Sequence, residues 1–306
     1  MKRREFVTKS IGVGLVGALT PVFGGLDTLA SQPAPASGSF DLAAVRGGEP
    51  AQMFDQAMEA LGGFKQFIKP GQRVLIKPNI GWDAGPERAA NTNPDLVGHM
   101  VKASFEAGAS DVFVFDHTCD QWDRCYRNSL IEAAVRNNGG TIVPGNNERN
   151  YREVSIPGAR ILKTTKVHEL LLSTDVFINV PVLKHHSSTT VSLAIKNLMG
   201  VVWDRRFYHG NNLNQCIADF LAYRKPDLNI IDGYRMMTRN GPRGVSVADV
   251  ADLKALVAGR DIVAVDAAAT LMFGAQPGDI GHLRLAEEMG FGTLNLESLS
   301  IKRIRI

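Results

Sequence analysis

Cysteine is scarce in this chain: Cys119, Cys125 and Cys216 are the only thiols in 306 residues, and no CxxC pair occurs. Three thiols cannot supply a four-cysteine site, so no iron–sulfur cluster is expected. A Cys119–Cys125 disulfide and a set of tolerated free thiols are both open readings, and the odd count leaves at least one thiol unpaired. Beyond the extreme N-terminus there is no apolar run long enough to require a bilayer, so no stable transmembrane segment is expected. Net charge is also small. It is +3 for the chain and +1 once residues 1–30, with four basic and two acidic side chains, are set aside. Without a Lys/Arg block there is no concentrated basic face for phosphates to reward, which argues against a nucleic-acid partner. HExxH is missing too, and the glycine-bearing run Asn240 to Gly244 is neither a P-loop nor a GxGxxG turn, so no single motif there names a metal or a nucleotide.

The N-terminus carries Lys2-Arg3-Arg4-Glu5-Phe6, followed by an uncharged stretch of 17 residues, Ser10 to Leu26, interrupted by Pro21 and several glycines. This pattern resembles a twin-arginine signal. The resemblance implies export of the folded protein through the twin-arginine translocase to the periplasm or the exterior. The spacing predicts a signal over 1–30, with small residues for cleavage at Thr28-Leu29-Ala30 or Ala34-Pro35-Ala36, and a flexible leader over 31–39. A single composite domain over 40–306, of one lobe or two, is expected to follow.

In that domain, apolar residues at helical spacing predict a helix from Pro50 to Ile68, weakened near its end by Gly62-Gly63. Val74-Leu75-Ile76 predicts a buried strand that stops at Pro78, and Asn93-Pro94-Asp95 predicts a capped helix start. Further strands are expected at Val112–Phe115, Thr141–Val143, Val176–Val180, Leu228–Ile231 and Ile262–Val265, with a helix over Leu130–Arg136. Strands alternating with helices define an α/β fold, a mostly parallel sheet with helices on both faces. In such sheets, ligands bind beyond the carboxyl ends of the strands.

The chemically interesting residues fall at those ends. They form four segments: Lys77-Pro78-Asn79 with Thr92-Asn93-Pro94; Pro181-Val182-Leu183-Lys184-His185-His186 leading through Thr189 to Lys196-Asn197-Leu198-Met199-Gly200; Asp232-Gly233 with Asn240-Gly241-Pro242-Arg243-Gly244; and Asp261 to Asp266. In this order the motifs resemble the family of domain of unknown function 362. The family resemblance implies no particular activity. Many relatives append a ferredoxin-like cysteine module, which this sequence lacks.

Read as chemistry, Lys77, Lys184 and Lys196 bring three ammonium groups toward one crevice, where they would receive a small anionic metabolite or a phosphorylated cofactor. Asn79, Asn93, Thr189, Asn197 and Asn240 offer neutral hydrogen bonds to orient such a ligand. Lys184 and His185 are the expected catalytic pair, the ammonium keeping the neighbouring imidazole neutral as a base or metal ligand. One of His185 and His186 must face away if the segment is extended. A divalent metal could be held by Asp116, His185 and Asp232. Asp266 is expected to cap a helix beginning at Ala267. Trp203, Phe207 and Tyr208, among Asp204, Arg205, Arg206 and His209, suit a cover over the site or a surface loop. The Lys-His segment is also loosely similar to the corresponding stretch of lactate-racemase-like proteins, which implies proton transfer beside a carboxylate as a narrower form of the reaction. The alternative to an enzyme is an exported accessory protein that holds and delivers a metal or cofactor.

Overall fold

The computed structural model describes residues 39–306, so the expected signal and most of the leader lie outside the described residues. The chain runs β1 (Leu42–Arg46), α1 (Pro50–Ala60), β2 (Arg73–Pro78), α2 (Pro94–Glu106), β3 (Asp111–Val114), α3 (Trp122–Asn128), α4 (Ile131–Asn137) and β4 (Thr141–Ile142). It continues with β5 (Tyr151–Ser155), β6 (Thr164–His168), α5 (Glu169–Ser173), β7 (Val176–Val180), β8 (Val182–His186), β9 (Thr190–Ser192), α6 (Ala194–Asn197), α7 (Arg205–Gly210) and α8 (Leu213–Asp219). The last elements are β10 (Leu228–Met237), β11 (Val250–Gly259), α9 (Ile262–Phe273), α10 (Gly281–Glu288) and β12 (Ile301–Arg305). Among the described residues no helix is long and apolar enough to cross a membrane.

The main sheet has the order β12-β1-β11-β10-β7-β2-β3-β4. From β10 to β4 every pairing is parallel, whereas β11 joins β10 and β1 antiparallel. Because side chains alternate across a strand, Val74 and Ile76 of β2 pack with α1, α2 and α4 on one face. Leu75 packs with α8 and α9 on the other. Burial on both faces explains why these strands are continuous apolar runs rather than alternating ones. Pro181 offers no N–H to a ladder; it separates β7 from β8, which continues beside β10 and folds back on β9. The hairpin β5–β6 stands apart as a separate two-stranded sheet.

Asn93 caps α2 as its spacing predicts, its side chain accepting from Asp95 N and Leu96 N. The first helix is shorter than expected. It stops at Ala60, and Gly62 and Gly63, both with positive φ, turn the chain before a short 3-10 segment at Phe64–Gln66. The expected strand at Ile262–Val265 is instead the first turn of α9, capped by Asp261, which accepts from Val263 N and Ala264 N. This helix is buried nearly all round, so its sequence shows no amphipathic period and reads as a short apolar strand.

Asp266 therefore does not begin a helix but sits fully buried inside α9. It does cap a helix, though a distant one, accepting from Ala194 N at 2.7 Å and Ile195 N at 2.9 Å at the start of α6. Burial raises its pKa to about 8. Asp266→Ala should destabilise the protein by about 3 kcal/mol, since it orphans two buried donors, whereas Asp261→Ala should cost about 1 kcal/mol as an ordinary cap. Urea unfolding of both variants ranks them, and equal losses would refute the tertiary role given to Asp266.

Candidate functional site

A cleft of about 1420 Å³ opens beyond the carboxyl ends of β2, β3 and β8, walled by those strand ends, by α6 and α7, and by the β5–β6 hairpin. Its floor follows from the sheet register. Lys77 stands opposite Asn179, and Asn179 opposite Asn229, placing a polar row across β2, β7 and β10 on the face that α6 covers. The Asn179 amide donates to Ala194 O at 2.9 Å and to Asn229 Oδ1 at 3.1 Å. Asn197 of α6 donates from Nδ2 to Asn179 Oδ1 at 2.8 Å. Its own Oδ1 accepts from Lys77 Nζ at 2.8 Å and from Asn79 Nδ2 at 3.1 Å.

The lysines then differ. Lys77, 1% exposed, has its Nζ 2.9 Å from Asp116 Oδ1. Burial lowers its pKa, and Asp116 opposes that shift. The other Asp116 oxygen accepts from Ile80 N at 2.7 Å. Gly200 passes so close to this pair that a Cβ would overlap Asp116 Oδ1 and press on Lys77 Nζ, which is the steric reason for a glycine after Lys196-Asn197-Leu198-Met199. Lys184 is equally buried, yet its Nζ donates only to neutral oxygens, Asn79 Oδ1 at 2.9 Å and the Ala90 carbonyl. Among the described residues no carboxylate forms a salt bridge with Lys184 or with half-buried Lys196. Burial lowers the Lys184 pKa to about 7 and the Lys196 pKa to about 8, with neighbouring cations acting in the same direction.

Aromatic and basic groups close the rim. The His117 ring stacks on Trp203 with centroids 4.9 Å apart and planes 3° apart, and its Nδ1 donates to Val202 O at 2.9 Å. Burial lowers its pKa, helped by the nearby Arg205 charge. Arg205, at the start of α7, donates to His117 O at 2.9 Å and Thr118 O at 2.6 Å, with its Nη1 3.3 Å from Cys119 Sγ. Asp204 caps that helix, accepting from Arg206 N and Phe207 N. Of the residues expected to form a cover, Phe207 and His209 line the cleft, whereas Tyr208 is fully buried in the core.

His186, not His185, faces the cleft. Its Nδ1 accepts from Ser188 N at 3.1 Å, and burial lowers its pKa to about 3, so the ring is neutral. His185 is turned to the other side of β8, where its Nδ1 accepts from Gly241 N at 3.1 Å. This corrects the expected Lys184–His185 pair: strand alternation puts Lys184 and His186 on one face and His185 on the other.

The expected metal trio does not assemble. Asp116 is committed to Lys77 and Ile80 N, His185 to Gly241 N, and Asp232 accepts from Asn93 N at 2.7 Å and Tyr234 N at 3.0 Å. Asp232 lies inside β10 rather than beyond its end, and burial raises its pKa to about 6. Among the described residues no group of three or more His, Cys, Asp or Glu side chains is arranged to hold a metal ion.

Three of the expected ligand-binding residues, Lys77, Asn79 and Lys196, line the cleft. Asn197 stands behind them as a brace. Asn93 is spent on the α2 cap, Thr189 donates to Val191 O at 3.1 Å, and Asn240 donates to Asp249 Oδ1 at 2.9 Å. None of these three lines the cleft. All three cysteines are free, Cys119 exposed and Cys125 and Cys216 buried, so the Cys119–Cys125 bridge is not formed. Sequence reading missed the β5–β6 wall: burial alternates over Thr164–Val167, but Tyr151–Ser155 has its apolar residues Tyr151 and Val154 three apart and lacks the period of two that marks strands.

The fold and cleft thus define an α/β protein with a lysine-lined site at the carboxyl ends of its parallel strands. The chain belongs to the family described as domain of unknown function (DUF362), whose model matches residues 74–271. A thylakoid-associated protein of Synechocystis sp. is 28% identical over 247 residues, covering 76% of this chain and 73% of the relative. Among solved structures, the lactate racemase apoprotein from Thermoanaerobacterium thermosaccharolyticum aligns with a TM-score of 0.46 at 11% identity, over 80% of this chain and 56% of that one.

Proposed function

We propose that the cleft binds a small organic anion and acts on it by acid–base chemistry, with Lys184 as the proton-transferring amine and His186 as a neutral imidazole beside it. One observation carries this reading: Lys184 and Lys196 line the cleft without a carboxylate partner among the described residues, while the adjacent Lys77 has one. A buried ammonium with no counter-ion is costly, and an incoming carboxylate or phosphate supplies what the protein withholds. His186 has a low proton affinity and so serves as a hydrogen-bond donor from Nε2 rather than as a cation. The Lys2-Arg3-Arg4 motif supports placing this activity outside the cytoplasm, after export of the folded chain.

Calorimetric titration with a panel of small carboxylates and phosphate esters tests the reading. Lys196→Met should weaken binding roughly 10- to 100-fold, because charge-assisted hydrogen bonds contribute about 1.5–3 kcal/mol. If no carboxylate or phosphate binds, or if Lys196→Met binds as tightly as the parent, the anion site is wrong.

A further inference from the structure

The cleft's lysines are not equivalent as amines. Lys77 is held by Asp116, and Lys166 by Glu148 at 2.7 Å. Each of these partners stabilises the ammonium and ties up its proton. Among the described residues Lys196 has no oxygen acceptor in its hydrogen bonds, only Met199 Sδ at 3.8 Å. Lys163 donates to a single carbonyl, that of Ala159, and Lys184 alone of the five is given two acceptors, both uncharged: Asn79 Oδ1 and the Ala90 carbonyl. A neutral amine has two N–H bonds and one lone pair. Two neutral acceptors satisfy both N–H bonds and leave the remaining tetrahedral position to the lone pair, whereas an ammonium would have a third N–H unmet. Asn79 is held to this task by its own amide, which donates to Asn197 Oδ1, an oxygen that also accepts a hydrogen bond from Lys77 Nζ.

We propose that Lys184 is a Schiff-base lysine that condenses with the carbonyl carbon of a 2-oxo carboxylate bound in the cleft. This rests on the reading of the cleft as an anion site and specifies its substrate class. The Lys184 nitrogen lone pair attacks the carbonyl carbon, and the carbonyl π pair moves to oxygen. That oxygen takes up the proton lost from nitrogen, giving a carbinolamine. The carbinolamine then expels its hydroxyl with the second nitrogen proton as one water, leaving a C=N bond. The sum is amine plus carbonyl to imine plus water, with no oxidant or reductant. Lys196 and Arg205, on the same cleft, provide cations for the adjoining carboxylate, which is why an oxo acid fits better than a neutral aldehyde. Burial among like charges also favours the free amine at Lys184, the arrangement by which enzymes make a lysine nucleophilic.

The test is borohydride trapping on the full chain, with glyoxylate and pyruvate as probes, followed by peptide mapping. The expected result is a reduced adduct confined to the Lys184 peptide and lost in Lys184→Arg, which keeps a cation but cannot form the imine. Should Lys184→Arg fail to fold, the map of the unmodified chain decides alone. An adduct spread over exposed lysines overturns the proposal. Saturable calorimetric binding of the same acids with no trapping overturns the imine and leaves the anion site standing. Absence of both binding and trapping overturns the two readings together.

Discussion

Lys77→Met is expected to destabilise the folded protein by about 3–5 kcal/mol, the range for removing one partner of a buried ion pair. The reason is Asp116, which is 2% exposed and would lose its ion-pair partner, leaving only the Ile80 N–H on its carboxyl group. The same substitution frees Asn197 Oδ1 of its strongest donor and loosens the Asn79 contact that sets Lys184. In the double variant Lys77→Met/Asp116→Asn the stranded carboxyl group is gone, so most of the loss should be recovered, as buried pairs replaced together are often near neutral. Urea unfolding of the two single variants and the double variant measures the coupling. If the double variant is no more stable than Lys77→Met, the pair is not what holds this corner of the sheet.

The second large effect is on pH dependence. Lys184 and Lys196 are depressed to about 7 and about 8 from an ordinary 10.5. An anion favours the protonated form of each, so its affinity should be greatest below pH 7 and fall as pH rises through these two values. Binding near pH 8 should then take up protons, seen as a calorimetric heat that varies with the ionisation enthalpy of the buffer. Stability runs the opposite way. Between the folded values and 10.5 the unfolded chain binds more protons than the folded one, so the cost of burying these lysines grows as pH falls from 10.5, is complete once pH is below about 8 and about 7, and is relieved as pH rises across that interval. Imine trapping at Lys184 should likewise rise as pH passes about 7, because it needs the free amine. The groups that face Lys184 and set its titration are Lys77, Lys196, Asp116 and Cys119. An affinity that is flat from pH 6 to 9, or that climbs, would contradict the assignment of Lys184 and Lys196 as the anion's partners.

How much of this was legible in sequence depends on how local the cause was. The Asn93-Pro94 cap, the apolar run Val74-Leu75-Ile76 and the alternation of strands with helices are set by neighbours a few residues apart, and the structure holds them where their spacing predicts. That Lys77 and Asn79 reach the cleft follows from a rule of the fold, since they stand at the carboxyl end of parallel β2, whereas Lys184 inside β8 and Lys196 in α6 are brought to it by tertiary packing. The run Ile262–Val265 carried no such cue, because a helix buried on every side and a buried strand look alike in an apolar stretch.

What the sequence by itself determined about this protein is its α/β class, the caps and turns with local causes, and the arrival of Lys77 and Asn79 at one sheet edge. Only the tertiary structure decided how the polar groups are used. Alternation requires His185 and His186 to face opposite sides, but which one meets the cleft depends on the phase of β8, set by its pairing with β9 and β10. Asp232 looked available after a short strand, and it is pinned because β10 runs on to Met237. Asp266 caps a helix that begins 72 residues earlier in the chain. Lys77 and Lys184 are the same residue type at equal burial, and they differ because Asp116 reaches only one of them. The physical reason is common to all four: a buried polar group takes its role from the partner that satisfies it, and these partners are brought together by strand pairing rather than by spacing along the chain.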